Sequence, residues 1–338
     1  NVVKAKPLFK GHYQPHIPSD LGFYDLRVPE VREAQARLAK EAGIEGFCYW
    51  HYWFGGKKLL ERPFEEVLQS GRPDYPFCLG WANASWTGIW YDAADRVLME
   101  QTYPGEDDHR NHFNYLLPAF SDYRYMKVDG KPIFLIFQPS DLSRKDIELW
   151  RSMARSAGLK DLFLIGIVKD KKEAEAIKEK NFDAFTISRT NGRGTRLPLI
   201  QTIFIKIFGW KNASVFYQQV FKKPFHVYQS RDLLPFIDQE ENAGLDFYPC
   251  VMPGWDNTPR AVLNGQVWLN PSPTLFQDHR RKAINRVRGR TPDHQIIIIK
   301  SWNEWAEGNY LEPDQKFGDS FLKAIRELLD RAEEQFES

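Results

Sequence analysis

Two glutamates three residues apart, Glu304 and Glu307, stand among Trp302, Asn303 and Trp305, directly after the apolar run Ile296-Ile297-Ile298-Ile299. Paired carboxyls are the tools of general acid/base work on a glycosidic bond, where one must be ionised while the other carries a proton. Unequal burial at close range drives two such pKa values in opposite directions. Spacing alone does not bring them together. If the backbone turns helical after Trp302, the two become i, i+3 neighbours with Cβ atoms roughly 5 to 6 Å apart, whereas continued extension sends them to opposite faces. Gly308 and the polar residues after it suit a turn. A carboxyl separation of about 5 Å fits retaining rather than inverting chemistry. The alternative is a solvated Glu pair opening a helix, for which tryptophans are odd neighbours.

What positions the pair is the isoleucine run. Four consecutive isoleucines read as a strand buried on both faces, as in parallel sheets covered by helices, and function in such folds gathers at the carboxyl ends of strands. Further strands are expected at Ile44–Phe54, Pro76–Trp86, Lys131–Pro139, Leu162–Asp170, Phe182–Arg189 and Asp246–Trp255, with the isoleucine strand at Gln295–Trp302, seven in all. Helical patterns alternate with them at Pro29–Ala42, Arg62–Gln69, Asp107–Tyr125, Arg144–Ala157, Lys171–Lys180, Asn212–Asn242 and Pro273–Val287, and Phe317–Phe336 closes the chain. A doubly wound sheet and a (β/α)8 barrel both fit this order. Polar and aromatic residues at most strand ends favour the α/β TIM barrel, whose first strand is missing because Asn1–Asp20, rich in Lys, His and Pro, reads as a loop. Residues 1–338 are therefore read as one catalytic barrel without its opening strand, with no repeat, low-complexity tract or linker to divide it. Leu197–Trp210 is an apolar-rich excursion, either a flap beside the site or an amphipathic surface helix.

Composition narrows the partner. Lys and Arg number 46 against 45 Asp and Glu, for a net charge of +1, and no dense basic stripe stands out, which argues against nucleic acid or an anionic membrane as the main partner. With 11 tryptophans and 14 tyrosines concentrated near strand ends, a carbohydrate, oligo- or polysaccharide, fits better, because flat rings stack on the apolar faces of sugars. Cys48, Cys78 and Cys250 lie far apart in apolar runs and are expected to be buried thiols. The eight histidines show no helical metal-ligand spacing, so neither a metal nor any other cofactor is expected. No signal-peptide pattern and no membrane span is visible, which makes the cytoplasm the default compartment. Nothing bears on oligomeric state.

Residues at other strand ends complete the candidate site. Tyr49, His51 and Tyr52 end the first expected strand. Asn83 and Trp86 end the second, offering a hydrogen bond and a stacking face, or else an Asn satisfying a turn beside a core Trp. His51 either contacts a hydroxyl or is a hydrogen-bonded structural residue. Trp255, Asp256 and Arg260 look like a platform plus an ion pair, the pair bracing its loop more readily than it touches substrate. Glu312 either orients Glu307, binds a hydroxyl or is solvated.

The strings Gly46 to Phe54, Trp81 to Trp86, Pro253 to Arg260 and Trp302 to Gly308 together resemble the WbsX-type family, labelled as glycosyltransferases of O-antigen clusters. They are also similar to glycoside hydrolase family 99, the endo-α-mannosidases. The resemblance spans nearly the whole chain and implies a (β/α)8 barrel. By the same resemblance Glu304 is the base that deprotonates a substrate 2-hydroxyl to give a 1,2-anhydro sugar, and Glu307 is the acid/base at the leaving oxygen. His12, Tyr13 and His16 resemble the family's loop after its first strand, placed to cap the pocket. One departure is Ala306, where the endo-mannosidases carry His or Gly. The expectation is a retaining hydrolase of α-linked mannose or rhamnose. A glycosyltransferase of O-antigen or lipopolysaccharide is the second reading, weakened by the lack of an Asp-x-Asp motif or Gly-rich turn. A non-catalytic carbohydrate-binding protein is the third.

Overall fold

The computed structural model describes residues 2–88, 93–188, 199–237 and 244–327. Its centre is a parallel sheet of β1 (Phe47–His51), β2 (Phe77–Trp81), β3 (Lys131–Ile136), β4 (Phe163–Val168), β5 (Ala184–Ile187) and β6 (Phe247–Tyr248). Each strand pairs with the next in sequence. After Pro249 the chain continues as Cys250–Val251 and pairs in parallel with β7, Ile298–Ile299. A doubly wound sheet reverses its strand order partway; unbroken neighbour order is the wiring of a barrel. Seven staves are present among the described residues. Between β7 and β1 no ladder runs among them, and the ring of Phe47 lies 5.2 Å from that of Trp302 across this seam.

Strand alternation explains the isoleucine run. Ile296 and Ile298 pack on the main core, which holds Phe77, Trp81, Phe113, Phe134 and Trp150, while Ile297 and Ile299 pack on a second core around Phe276, Leu311 and Ile325. Both faces meet apolar neighbours, as expected. The four isoleucines are nonetheless half-buried rather than fully buried, because their stave borders the seam. The hydrogen-bonded part of the expected Gln295–Trp302 strand is correspondingly short.

Helices fall close to their predicted places, at Pro29–Glu41, Arg62–Ser70, Glu106–Phe120, Arg144–Ser156, Lys171–Ala176 and Pro273–Val287. Local chemistry sets their starts. Ser143 and Asp146 form a reciprocal capping box, and Ser272 accepts the Leu275 N–H at 3.2 Å just ahead of a proline. The chain is helical again from 320 to 327, and the rest of the expected closing helix lies outside the described residues.

The expected helix Asn212–Asn242 is corrected. The chain instead forms a helix over Leu199–Phe221, kinked at Gly209, then the strand His226–Gln229 and the helix Ser230–Ile237. From Leu199 onward the apolar excursion is helical, in line with the second of its two alternatives, and 189–198 and 238–243 lie outside the described residues. His226–Gln229 pairs in parallel with Gln266–Leu269, a ladder that the sequence pattern did not reveal. Cys78 and Cys250 are buried, but Cys48 is exposed, since it points away from the helix layer against which Tyr49 packs.

Candidate active site

Beyond β7 the chain makes a hairpin. Asn303–Glu304 pairs antiparallel with Asn309–Tyr310, and a single 3-10 turn, Trp305–Glu307, joins them. Gly308 closes the turn at φ 55°, and a Cβ there would stand 2.8 to 3.0 Å from Asp256 atoms, backbone included, so both conformation and space call for glycine. The expected turn therefore forms, as 3-10 rather than α, because Asn303 and Glu304 find strand partners first.

This turn delivers both glutamates to one guanidinium. Arg260 Nη2 donates to Glu304 Oε1 at 2.7 Å and Nη1 to Glu307 Oε1 at 3.2 Å. The side chain of Glu307 is 15% exposed against 35% for Glu304. Burial pushes the Glu307 carboxyl up to about 7, with the neighbouring Glu304 charge adding to it and Lys300 and Arg260 working against it. Burial in turn lowers Lys300, whose ammonium lies 4.8 Å from the Trp255 ring centroid. One carboxyl that holds its proton near neutrality beside a second, more open one is an arrangement suited to acid/base transfer. Tyr52 senses the same charges: burial raises its phenol, Glu304 adds to the shift, and its ring meets Trp86 edge-on at 5.2 Å.

A second polar layer braces this one. Asp256 is buried and accepts from His12 Nε2 and Gln14 Nε2, both at 2.7 Å, and from the Thr258 hydroxyl and N–H. His12 Nδ1 accepts the Leu8 N–H at 3.0 Å, which leaves Nε2 as the donor to Asp256. Burial alone would raise the Asp256 carboxyl, but the bonds from His12 and Thr258 outweigh it and hold it low. Glu312, also buried, accepts from Tyr24, from Gln35 at 2.6 Å and from Trp305 Nε1 at 2.7 Å. Asn303 donates to Tyr24 at 3.0 Å, and Trp305 stacks on Tyr310 with centroids 3.8 Å apart. His16, Tyr310 and Asp314 continue the network.

Several expectations about the site change here. Arg260 pairs with the two glutamates and does not merely brace its loop with Asp256. Tyr49 packs on Phe64 and Phe77, and His51 is buried with Nε2 2.7 Å from His112 Nε2, so both belong to the sheet–helix layer rather than the pocket. Asn83 is fully buried, with its amide bonded to Gln138 and Tyr103, as a turn-bracing Asn. Trp255 is a core residue with Met252 and Trp268 instead of an open platform. Glu312 is a buried hub, not solvated. Tyr13 is exposed under the Lys316 ammonium. Trp302 packs at the seam. Tyr24, Gln14, Gln35, Lys300 and Tyr310 were not singled out in the sequence. Tyr24 and Gln14 lie in a stretch without periodicity, and only the position of Lys300 at a strand end could have flagged it.

The fold has known counterparts. A structure described as a glycoside hydrolase-like protein superposes with TM-score 0.61 at 16% identity, over 92% of this chain and 88% of that one. A GH99 endo-alpha-mannosidase from Bacteroides thetaiotaomicron superposes with TM-score 0.60 at 16% identity, over 96% of this chain and 85% of that one. These likenesses show a shared barrel fold. In sequence, the uncharacterized protein WxcX of Xanthomonas campestris pv. campestris strain B100 is 33% identical over 341 residues, which are 98% of this chain and 46% of the relative. WxcX from a second strain of that pathovar is 32% identical over the same shares. The chain thus spans about half the length of the curated relatives it matches. Residues 1–325 match the family model described as Glycosyltransferase WbsX, and the chain belongs to the WbsX family.

Proposed function

We propose that this protein is a retaining glycoside hydrolase acting on α-linked, manno-configured sugars in a polysaccharide or glycan. The observation that carries the reading is the sharing of one guanidinium by two glutamates of unequal burial, with Glu307 pushed up to about 7. In this reading Glu304, the more open acid, takes the proton from the 2-hydroxyl, and O2 closes on the anomeric carbon as the glycosidic bond breaks. Glu307 gives its proton to the departing oxygen. Water then opens the 1,2-anhydro ring, with Glu307 taking one proton and Glu304 returning the other to O2, so both acids end as they began. Arg260, bonded to both carboxyls, stays paired with the single negative charge as it passes from Glu304 to Glu307 between the two steps. Tyr52, near enough to feel both acids, and Trp86, packed edge-on against it, supply ring faces for the sugar.

A glycosyltransferase is the second reading, favoured by the description of the family whose model the chain matches. The discriminating test of mechanism is NMR of the first-formed product from an α-mannosyl or α-rhamnosyl glycan. An α-anomer, with no turnover of the 2-deoxy analogue, is the expected outcome. A β-anomer, or undiminished turnover of the 2-deoxy sugar, sinks the 2-hydroxyl route.

A further inference from the structure

The helix Leu199–Phe221 carries an apolar surface that stays exposed among the described residues. Gly209, at φ 73° and ψ 160°, breaks it into two arms, 199–208 and 210–221. On the second arm Ala213 and Tyr217 are buried, while Val215, Phe216 and Val220 point outward at 50%, 39% and 63% exposure. Their i, i+1, i+5 spacing gathers them on one stripe that runs from the side opposite Ala213, at Val215, round to the edge of the buried pair, at Val220. On the first arm Gln201 is buried, and Leu199, Ile203 and Ile207 are exposed at 77%, 42% and 65%, again along one face. Phe208 of one arm stacks on Phe216 of the other at 4.2 Å, both rings partly open to solvent, so exposed apolar side chains continue from one arm to the next as a ridge. A ridge of this kind on a soluble surface marks an interaction site.

The charge around it selects the partner. From 184 to 231 the sequence contains no Asp or Glu, while Lys206, Lys211, Lys222 and Lys223 lie on or beside the hairpin. Lys206 and Lys222 are exposed, and the Lys223 ammonium lies over the rings of Tyr217 and Phe221. The near balance of the whole chain conceals this one-sided segment. Apolar side chains beside lysines, in a segment with no acidic residue of its own, complement a surface that is anionic outside and greasy beneath. Each arm, at 1.5 Å per residue, is only about 15 to 18 Å long, too short to cross a bilayer core of about 30 Å. Among the described residues no helix is long and apolar enough to cross a membrane. The arms can therefore lie only in the interface plane.

From these observations we infer that the 199–221 hairpin docks the protein peripherally on an anionic phospholipid surface. It stands on the side of the barrel that carries the candidate site: it follows β5 at its carboxyl end, and Gln218 donates to the Leu263 carbonyl at 2.8 Å, three residues beyond Arg260. Docking is separate from the chemistry at the acid pair and holds for either reaction.

The test is sedimentation of the full chain with vesicles of phosphatidylcholine alone and of phosphatidylcholine with an equal part of phosphatidylglycerol. Binding to the anionic vesicles, weakened by salt, is expected. Ile203→Glu with Ile207→Glu, and separately Lys222→Glu with Lys223→Glu, should each weaken it by ~10-fold or more while melting temperature stays unchanged. All four side chains are at or near the surface, and the lysine variant remains informative should the isoleucine variant fail to fold. Absence of binding to the anionic vesicles, or binding that neither variant alters, overturns the proposal. So does a dimer in analytical ultracentrifugation that the isoleucine variant disperses without any vesicle binding, since the ridge would then be an interface between copies of the chain.

Discussion

The backbone N–H of Asp256 donates to the carbonyl oxygen of Glu307 at 2.7 Å. The loop after β6, which carries Arg260, and the turn that carries the acid pair are thereby one braced unit. Asp256 also gathers His12, Gln14 and Thr258, so its carboxylate ties the N-terminal segment to the same unit. Asp256→Ala would leave those buried donors without an acceptor. The expected cost is about 2 to 4 kcal/mol of stability, read by chemical denaturation, with activity lost at temperatures where the variant is still folded.

Gly308→Ala tests the turn itself. The added methyl meets backbone atoms of Asp256 and must hold a positive φ, so the turn has to move. Turnover should fall by roughly 100-fold or more, since displacements of about 1 Å in a site cost that much, while a far-UV spectrum of the variant remains that of the native barrel.

The pH dependence follows from Glu307. If its proton is delivered to the leaving group, kcat falls as pH rises through about 7, the alkaline limb of the profile. Stability has the same sign. A carboxyl raised above its ordinary 4.5 disfavours the folded state once the unfolded chain ionises, so stability is lost as pH rises from 4.5 through about 7. Glu307→Gln should accordingly be near neutral at about pH 5 and stabilising by about 1 to 3 kcal/mol at about pH 8, measured by melting at both values.

Arg260→Lys keeps a positive charge but loses the fork that spans two carboxylates. Turnover is expected to drop by about 10- to 1,000-fold, and the alkaline limb should move, because a guanidinium that opposes the rise of the Glu307 pKa has been altered. A drop in kcat with an unmoved pH profile would mean that Arg260 acts on substrate and not through Glu307.

Periodicity made the barrel legible. Seven strands and most helices lie within a few residues of their expected places because parallel strands are apolar on both faces and their helices carry clear start signals, as at Ser143 and Ser272. The single helix expected over Asn212–Asn242 does not form as such, because the apolar residues of Leu199–Phe221 run nearly all round the helix, masking where it starts and its break at Gly209. At the site, the acids and their aromatic neighbours were legible from type and spacing. Their wiring was not. That Arg260 reaches across to both glutamates, or that Glu312 draws in Tyr24 and Gln35 from 288 and 277 positions away, is a tertiary relation that leaves no mark on local sequence. Tyr49 and His51 illustrate the converse, since strand alternation turns them toward the helices although Tyr52, one position further, reaches the acids.

Glycosidic-bond cleavage by Glu304 and Glu307, as proposed, is readable in its products. Its most direct test incubates the protein and its Glu307→Gln variant with mannose- and rhamnose-containing polysaccharides, and separately with nucleotide sugars plus acceptor glycan, recording new reducing ends and freed nucleotide. Reducing ends from the unaltered protein, their loss in the variant, and no acceptor-dependent nucleotide release are expected. Nucleotide release that requires the acceptor glycan, without new reducing ends, would contradict it and establish a transferase.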